Sequence, residues 1–197
     1  MVVNNTSPVE KYHLLNNIMD RNRLVKRICK NGVLLALMCI VGMFSIPLGA
    51  NVKVSLQLLM VFLICLISES FVDCLIITSL YLLLGLVLPF YAGFNAGISP
   101  TFGFVISFVV ISPAIYFLNK IPKIYPPLRM FIACFVGLLI CYAIGSVFMM
   151  FYLKWEFVPT LTVSVVPYIP FDIAKIVVAI LVVMLLPENV KNSKKDL

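Results

Sequence analysis

Near the end of the chain, Asp172-Ile173-Ala174-Lys175 sets a carboxylate and an ammonium directly before Ile176 to Leu186, a run without charge. A charged side chain at membrane depth costs roughly 2.5–3.5 kcal/mol on insertion scales, so such residues are rare and mark function. Three residues apart on a helix, the two side chains share a face and reach each other. They form either a structural ion pair or a paired acceptor and donor for a polar ligand head. Pro167-Tyr168-Ile169-Pro170-Phe171 leads in. Proline suits the first helical turn, where its missing N–H removes no hydrogen bond. Asp172 then falls in that turn, where the helix dipole favours a carboxylate. Lys175 lies one turn deeper and needs that carboxylate.

Other polar residues are spaced to converge with this pair. Gln57 lies one turn into an apolar segment, Asn95 sits in a glycine-containing loop, and Thr101 and Ser107 open another apolar segment. Polar groups among Phe, Tyr and Leu walls describe a small-molecule pocket. Taken singly, Gln57, Thr101 and Ser107 better suit hydrogen bonds between helices. The loop over 89–100 holds Pro89, Gly93, Gly97 and Pro100 with a single amide, Asn95. Its composition fits a lid with glycine hinges or an interfacial turn anchored by Phe90 and Tyr91. No GxSxG, HExxH or phosphate-binding loop appears, and no nucleophile–base pair can be placed, so an enzyme is disfavoured. Without a nucleotide-binding fold, the chain cannot power transport itself. The six cysteines form no CxxC or Cys/His pattern. They read as reduced core thiols, and no metal or cofactor is implied. His13 reads as a solvated residue of the polar N-terminal segment.

The elements that must hold these residues are membrane helices. Of 197 residues, 62% are hydrophobic and 12% charged, against about 25% charged in soluble domains. Six stretches, 31–49, 54–72, 74–90, 101–119, 130–153 and 166–187, match the roughly 17–25 residues that cross a bilayer as helix. Glu69 and Asp73 interrupt a nearly continuous run and mark a tight turn. The net charge of +7 is topological, with no nucleic acid implied. Lys11, Arg21, Arg23, Lys26, Arg27, Lys30, Lys120, Lys123, Arg129, Lys191, Lys194 and Lys195 fall on one side; Lys53 and Lys154 fall on the other. By the positive-inside rule both termini are cytoplasmic, and the polar pair sits toward the outside. The expected organisation is a basic N-terminal segment over 1–30, a six-helix membrane domain over 31–187 and a polar tail over 188–197. Residues 10–30 suit a basic helix lying on the lipid surface, and no secretory signal is expected. The segment 119–129, with Pro122, Pro126 and Pro127, is expected to be extended. Trp155 to Pro170 reads as an outer loop. Gly32 and Ala36 form a small-xxx-small pair, for internal packing or for docking a membrane partner.

Four motifs in order give a resemblance. Val52-Lys53-Val54-Ser55-Leu56-Gln57, Tyr81-Leu82-Leu83-Leu84-Gly85 with Leu88-Pro89-Phe90-Tyr91-Ala92-Gly93, Ser99-Pro100-Thr101, and Pro167-Tyr168-Ile169-Pro170-Phe171-Asp172-Ile173-Ala174-Lys175 resemble the BioY family. These are the biotin-binding S components of energy-coupling factor (ECF) transporters. The resemblance implies six transmembrane helices, a pocket opening outward, and energisation by a transmembrane T component with two cytoplasmic ATPases. It implies that Asp172 and Lys175 take the ureido end of biotin, with the carboxylate accepting N–H and the ammonium donating. Asn95 matches the family's binding amide, and Gly32 and Ala36 match the small residues that meet the T component. Departures are Lys53 for proline, Ser99 and Phe102 for glycines around Pro100-Thr101, and Phe94 for a loop glycine. A bulkier loop would reshape the pocket. A ligand related to biotin, or a scaffold that has lost its ligand, therefore stands as the alternative.

Overall fold

The computed structural model describes the backbone of residues 8–47, 53–122 and 124–187, and side chains over 19–45, 54–122 and 124–187. The proposed tail over 188–197, the side chain of His13 and that of Lys53 lie outside these. Among the described residues the chain forms seven helices and one two-stranded hairpin.

Helix α1 (Pro8–Met43) runs unbroken through the basic segment into the first apolar stretch. The expected separate surface helix over 10–30 is therefore the first half of one long helix. Gly32 alone is too small a penalty to break it. The second half of the basic segment is held by carboxylates, which explains its direction. Arg27 Nε donates to both oxygens of Asp73 at 2.8 and 2.9 Å, and Asn31 Nδ2 donates to Asp73 Oδ1 at 2.7 Å. Lys30 Nζ reaches Glu69 Oε1 at 3.4 Å and the Ile67 carbonyl at 3.2 Å. Asp73 is buried. Its hydrogen bond raises the Arg27 pKa, against burial, which lowers it. Glu69 and Asp73 thus mark the expected turn and clamp it to α1.

The first apolar stretch ends earlier than its composition suggests. Pro47 disfavours helix at the residue before it, and Ser45–Pro47 becomes strand β1, paired antiparallel with β2 (Lys53–Ser55). Helix α2 (Gln57–Ile67) is consequently only 11 residues. At 1.5 Å per residue it spans about 16 Å, half a bilayer core of about 30 Å. Ser70 caps α3 (Phe71–Val87) by accepting from the Val72 amide. Helix α4 (Phe102–Leu118) follows the glycine loop and contains Pro113. Pro126 and Pro127 do not extend the preceding segment; they occupy the first turn of α5 (Pro126–Leu153). The expected outer loop over 155–170 contains a further helix, α6 (Phe157–Ser164), before α7 (Ile169–Leu185). Among the described residues, α5 alone is long and apolar enough to cross a membrane. The pair α6 and α7 qualifies only as one span bent by 47°.

In the bundle α4 lies between α3 and α5, α2 packs on α7 and α4, and α1 packs on α2 and α3. Met38, Phe62, Ile64, Ile111, Ile115, Leu138 and Ile176 fill the fully buried centre. Small polar groups stitch the helices. Ser112 Oγ donates to Thr78 Oγ1 at 3.1 Å between α4 and α3, and Thr78 donates to the Cys74 carbonyl at 2.8 Å. Ser107 Oγ meets Cys141 Sγ at 2.9 Å between α4 and α5. All six cysteines are free thiols, Cys29 exposed and the rest buried.

Candidate functional site

A cavity of about 200 Å³ opens where α2, α4, α5, α6 and α7 meet, somewhat below the roughly 300–1,000 Å³ usual for ligand sites. Its polar floor is built by α7. Pro170 lies in the first turn, Asp172 follows in that same turn, and both Asp172 and Lys175 are buried. Lys175 Nζ donates to Asp172 Oδ1 at 2.6 Å, the expected spacing of three residues. Tyr142, on α5, donates its hydroxyl to Asp172 Oδ2 at 2.6 Å. Both carboxylate oxygens therefore have a charged or polar donor, which offsets the cost of removing the charge from water. An ammonium has three N–H groups and a carboxylate about four lone-pair sites, so donors and acceptors remain for a guest.

Opposite lie Ser55 from β2, and Gln57 and Leu58 from α2. Gln57 is buried, accepts from Ser55 Oγ at 3.2 Å and donates to the Tyr81 hydroxyl at 2.6 Å. Thr101, Phe104 and Phe108 come from the start of α4, and Cys141 and Met149 from α5. Ser164 closes the α6 side, with its hydroxyl 3.2 Å from that of Ser146. Tyr168 and Ala92 complete the rim. Lys175 is the one cation among the described residues that line the cavity.

The structure therefore brings Asp172, Lys175, Gln57 and Thr101 together. Ser107 is buried between α4 and α5 and bonds Cys141, so it is a helix–helix contact. Asn95 does not line the cavity. It is exposed, and its amide nitrogen is held by the Ala92 carbonyl at 2.8 Å within the loop's own turn. Phe90 and Tyr91 also stay out of the lining. Tyr91 is buried in the protein, with its hydroxyl on the Leu82 carbonyl at 2.6 Å and its ring against Tyr81 and Phe102. It anchors the loop to the bundle instead of to an interface.

The bulky departures do not fill the cavity either. Phe102 is buried between Tyr91 and Phe148, with ring centroids 6.1 and 5.9 Å away. Phe94 is exposed at φ 59° and meets Phe44 edge-on at 6.2 Å. A left-handed backbone costs a non-glycine residue about 1–2 kcal/mol, so this position retains the conformation that favours glycine.

Tyr142, Ser55, Ser164 and Tyr168 escaped the sequence reading. Tyr142 and Ser164 have partners remote in sequence, Asp172 and Ser146, while Ser55 and Tyr168 reach the cavity only through the packing of β2 and the start of α7. Gly32 and Ala36 are exposed on α1, and a Cβ on Gly32 would meet nothing within 4 Å. The small pair is thus not used for packing within this bundle. Among the described residues no cluster of His, Cys, Asp and Glu suits a metal.

A buried acid–base pair lining a walled cavity in a helical bundle is an arrangement suited to binding a small molecule. The BioY family model matches residues 12–192. The biotin transporter BioY of Thermotoga maritima is 30% identical over 165 residues, covering 81% of this chain and 95% of the relative. The biotin transporter BioY2 of Lactococcus lactis subsp. cremoris is 31% identical over 149 residues, covering 71% and 78%. In fold, the chain is similar to a crystal structure of the S-component for biotin from an ECF-type ABC transporter. The TM-score is 0.72 at 24% identity, covering 82% of this chain and 90% of that one. The chain belongs to the BioY family. It is an integral membrane component of a transporter and not an enzyme.

Proposed function

We propose that this chain is the biotin-binding subunit of an uptake system, with Asp172 and Lys175 taking the ureido group. The observation that carries the reading is the buried Tyr142–Asp172–Lys175 constellation facing a cavity in a member of a biotin transporter family. The Asp172 carboxylate accepts the ureido N–H, and the Lys175 ammonium donates to its carbonyl oxygen. Gln57 and Thr101 contribute polar wall, and Phe104, Phe108 and Met149 receive the apolar body. A role for Asn95 requires its side chain to leave the Ala92 carbonyl when ligand arrives.

In this reading the chain crosses the membrane six times with both termini cytoplasmic, and the cavity opens outward. Basic charge on one side supports that orientation. A transmembrane T component and two ATPases supply the energy. The exposed Gly32 and Ala36 offer α1 a close approach to the T component.

Purified protein is expected to bind biotin saturably at or below micromolar concentration. Asp172→Asn and Lys175→Ala should each weaken binding at least tenfold, or about 1.4 kcal/mol. Unchanged affinity in both variants would move the site elsewhere. Asn95, the match to the family's binding amide, lies outside the cavity and is held by the Ala92 carbonyl, which favours a second reading: a binder of a biotin relative or a scaffold without ligand. Calorimetry separates these. A scaffold gives no heat with biotin or its analogues yet still copurifies with membrane partners.

A further inference from the structure

Tyr81, on α3, is fully buried and does not line the cavity. Its hydroxyl nevertheless joins the cavity wall to the glycine loop. Ser55 Oγ donates to Gln57 Oε1 at 3.2 Å, Gln57 Nε2 donates to the Tyr81 hydroxyl at 2.6 Å, and that hydroxyl donates to the Phe90 carbonyl at 2.8 Å.

The directions are forced. A carbonyl oxygen only accepts, so the single Tyr81 proton goes to Phe90 and the phenol oxygen accepts from Gln57. Gln57 must then turn its NH2 toward Tyr81. Its Oε1 is left on the side of Ser55, itself part of the cavity wall. Without Tyr81 the two ends of the amide become interchangeable, because the Ser55 hydroxyl can donate or accept, and the wall acceptor is no longer fixed.

Space for this junction is also provided. A Cβ on Gly42 of α1 would lie 2.5 Å from the Tyr81 hydroxyl oxygen and 3.3 Å from the Phe90 carbonyl oxygen. Beyond Phe90 the loop is fastened at successive points. The Gly93 amide donates to the Met43 carbonyl at 2.9 Å, and the Gly97 amide to the Gly85 carbonyl at 3.0 Å. Tyr91 and Asn95 exchange backbone hydrogen bonds at 3.0 and 3.3 Å across the tip.

We propose that Tyr81 is a positioning residue for the cavity. Its hydroxyl fixes the orientation of the Gln57 amide and pins the root of the glycine loop, so wall and loop move as one hydrogen-bonded unit. The part that concerns ligand affinity rests on the cavity being the biotin site; the part that concerns the loop does not.

The test uses the full chain in lipid nanodiscs, with Tyr81→Phe and Gly42→Ala as separate variants. The first removes the hydroxyl and the second crowds it from α1. Without ligand, both should speed hydrogen exchange at the Tyr91, Gly93 and Asn95 amides by about tenfold, as expected where one fastening of a local unit is lost. Tyr81→Phe should also weaken biotin binding about tenfold. In a Gln57→Ala background the same change should alter affinity less than about twofold, because interacting sites are not additive. Loop exchange unchanged in both variants would overturn the proposal. So would losses from Tyr81→Phe and Gln57→Ala that simply multiply. If loop exchange responds while Asp172→Asn leaves biotin affinity intact, the biotin reading of the cavity fails and the Tyr81 unit stands.

Discussion

Asp172 holds its charge through contacts from two directions, and they differ in how visible they are in sequence. The Lys175 contact follows from helical spacing alone. The Tyr142 contact bridges α5 and α7 across 30 positions, and nothing local announces it. A hydrogen bond to a charged group is worth about 1.5–3 kcal/mol. Tyr142→Phe should therefore leave Asp172 Oδ2 without its donor and let the carboxylate rotate. The expected result is biotin affinity about tenfold lower, equivalent to about 1.4 kcal/mol, with fold retained. Titration calorimetry beside a thermal melt checks it. A large fall in melting temperature with unchanged affinity would assign Tyr142 a purely structural role. Asn95 shows the opposite case. Its residue type and loop made it a candidate, but the side chain is satisfied by the Ala92 carbonyl three residues back. Short polar side chains often make such local bonds.

At the scale of elements, the cavity depends on how α3 and the glycine loop close against each other. Gly85 on α3 faces the Tyr91 ring so closely that a Cβ there would overlap it. Gly85→Ala must displace Tyr91, which carries the Leu82 hydrogen bond and the contacts to Tyr81 and Phe102. Overpacking of this kind costs about 1–3 kcal/mol. The variant is expected to melt earlier in detergent, and a Tyr91→Ala partner substitution should recover part of the overpacking loss. The extent of α4 (Phe102–Leu118) follows from the apolar pattern that predicts a helix over 101–119. The shortness of α2 does not. Val54 reads as the start of an apolar helix, yet its backbone pairs with Ile46 in the hairpin. Pairing between strands depends on a partner that a linear apolar pattern does not display.

At the scale of the whole molecule, α1 carries two different faces. One buries Met38 and Cys39 and turns Arg27 and Asn31 onto Asp73. The other exposes Gly32, Val33, Ala36, Leu37 and Ile40. In the proposed assembly that second face meets the T component. Gly32→Leu should fit the isolated chain, since nothing lies within 4 Å of a Cβ there. Biotin binding should stay within about twofold of wild type, well under the tenfold that 1.4 kcal/mol represents. Copurification with the T component and biotin uptake in cells should both fall sharply. Retained assembly would remove α1 from the interface.

From the chain alone one could read a helical membrane protein, the Asp172–Lys175 pair, the turn at Glu69 and Asp73, and the family. Each rests on composition, on spacing within one helix or on ordered motifs, and such signals are local. The tertiary structure alone decided that Tyr142 completes the acid–base pair, that Ser107 serves packing, and that Phe102 joins an aromatic cluster and leaves the cavity clear. It also decided that Asn95 and Tyr91 stay outside the lining. Those outcomes depend on which distant helix supplies a partner and on how much room it leaves. A lone polar residue in an apolar segment carries no mark of either.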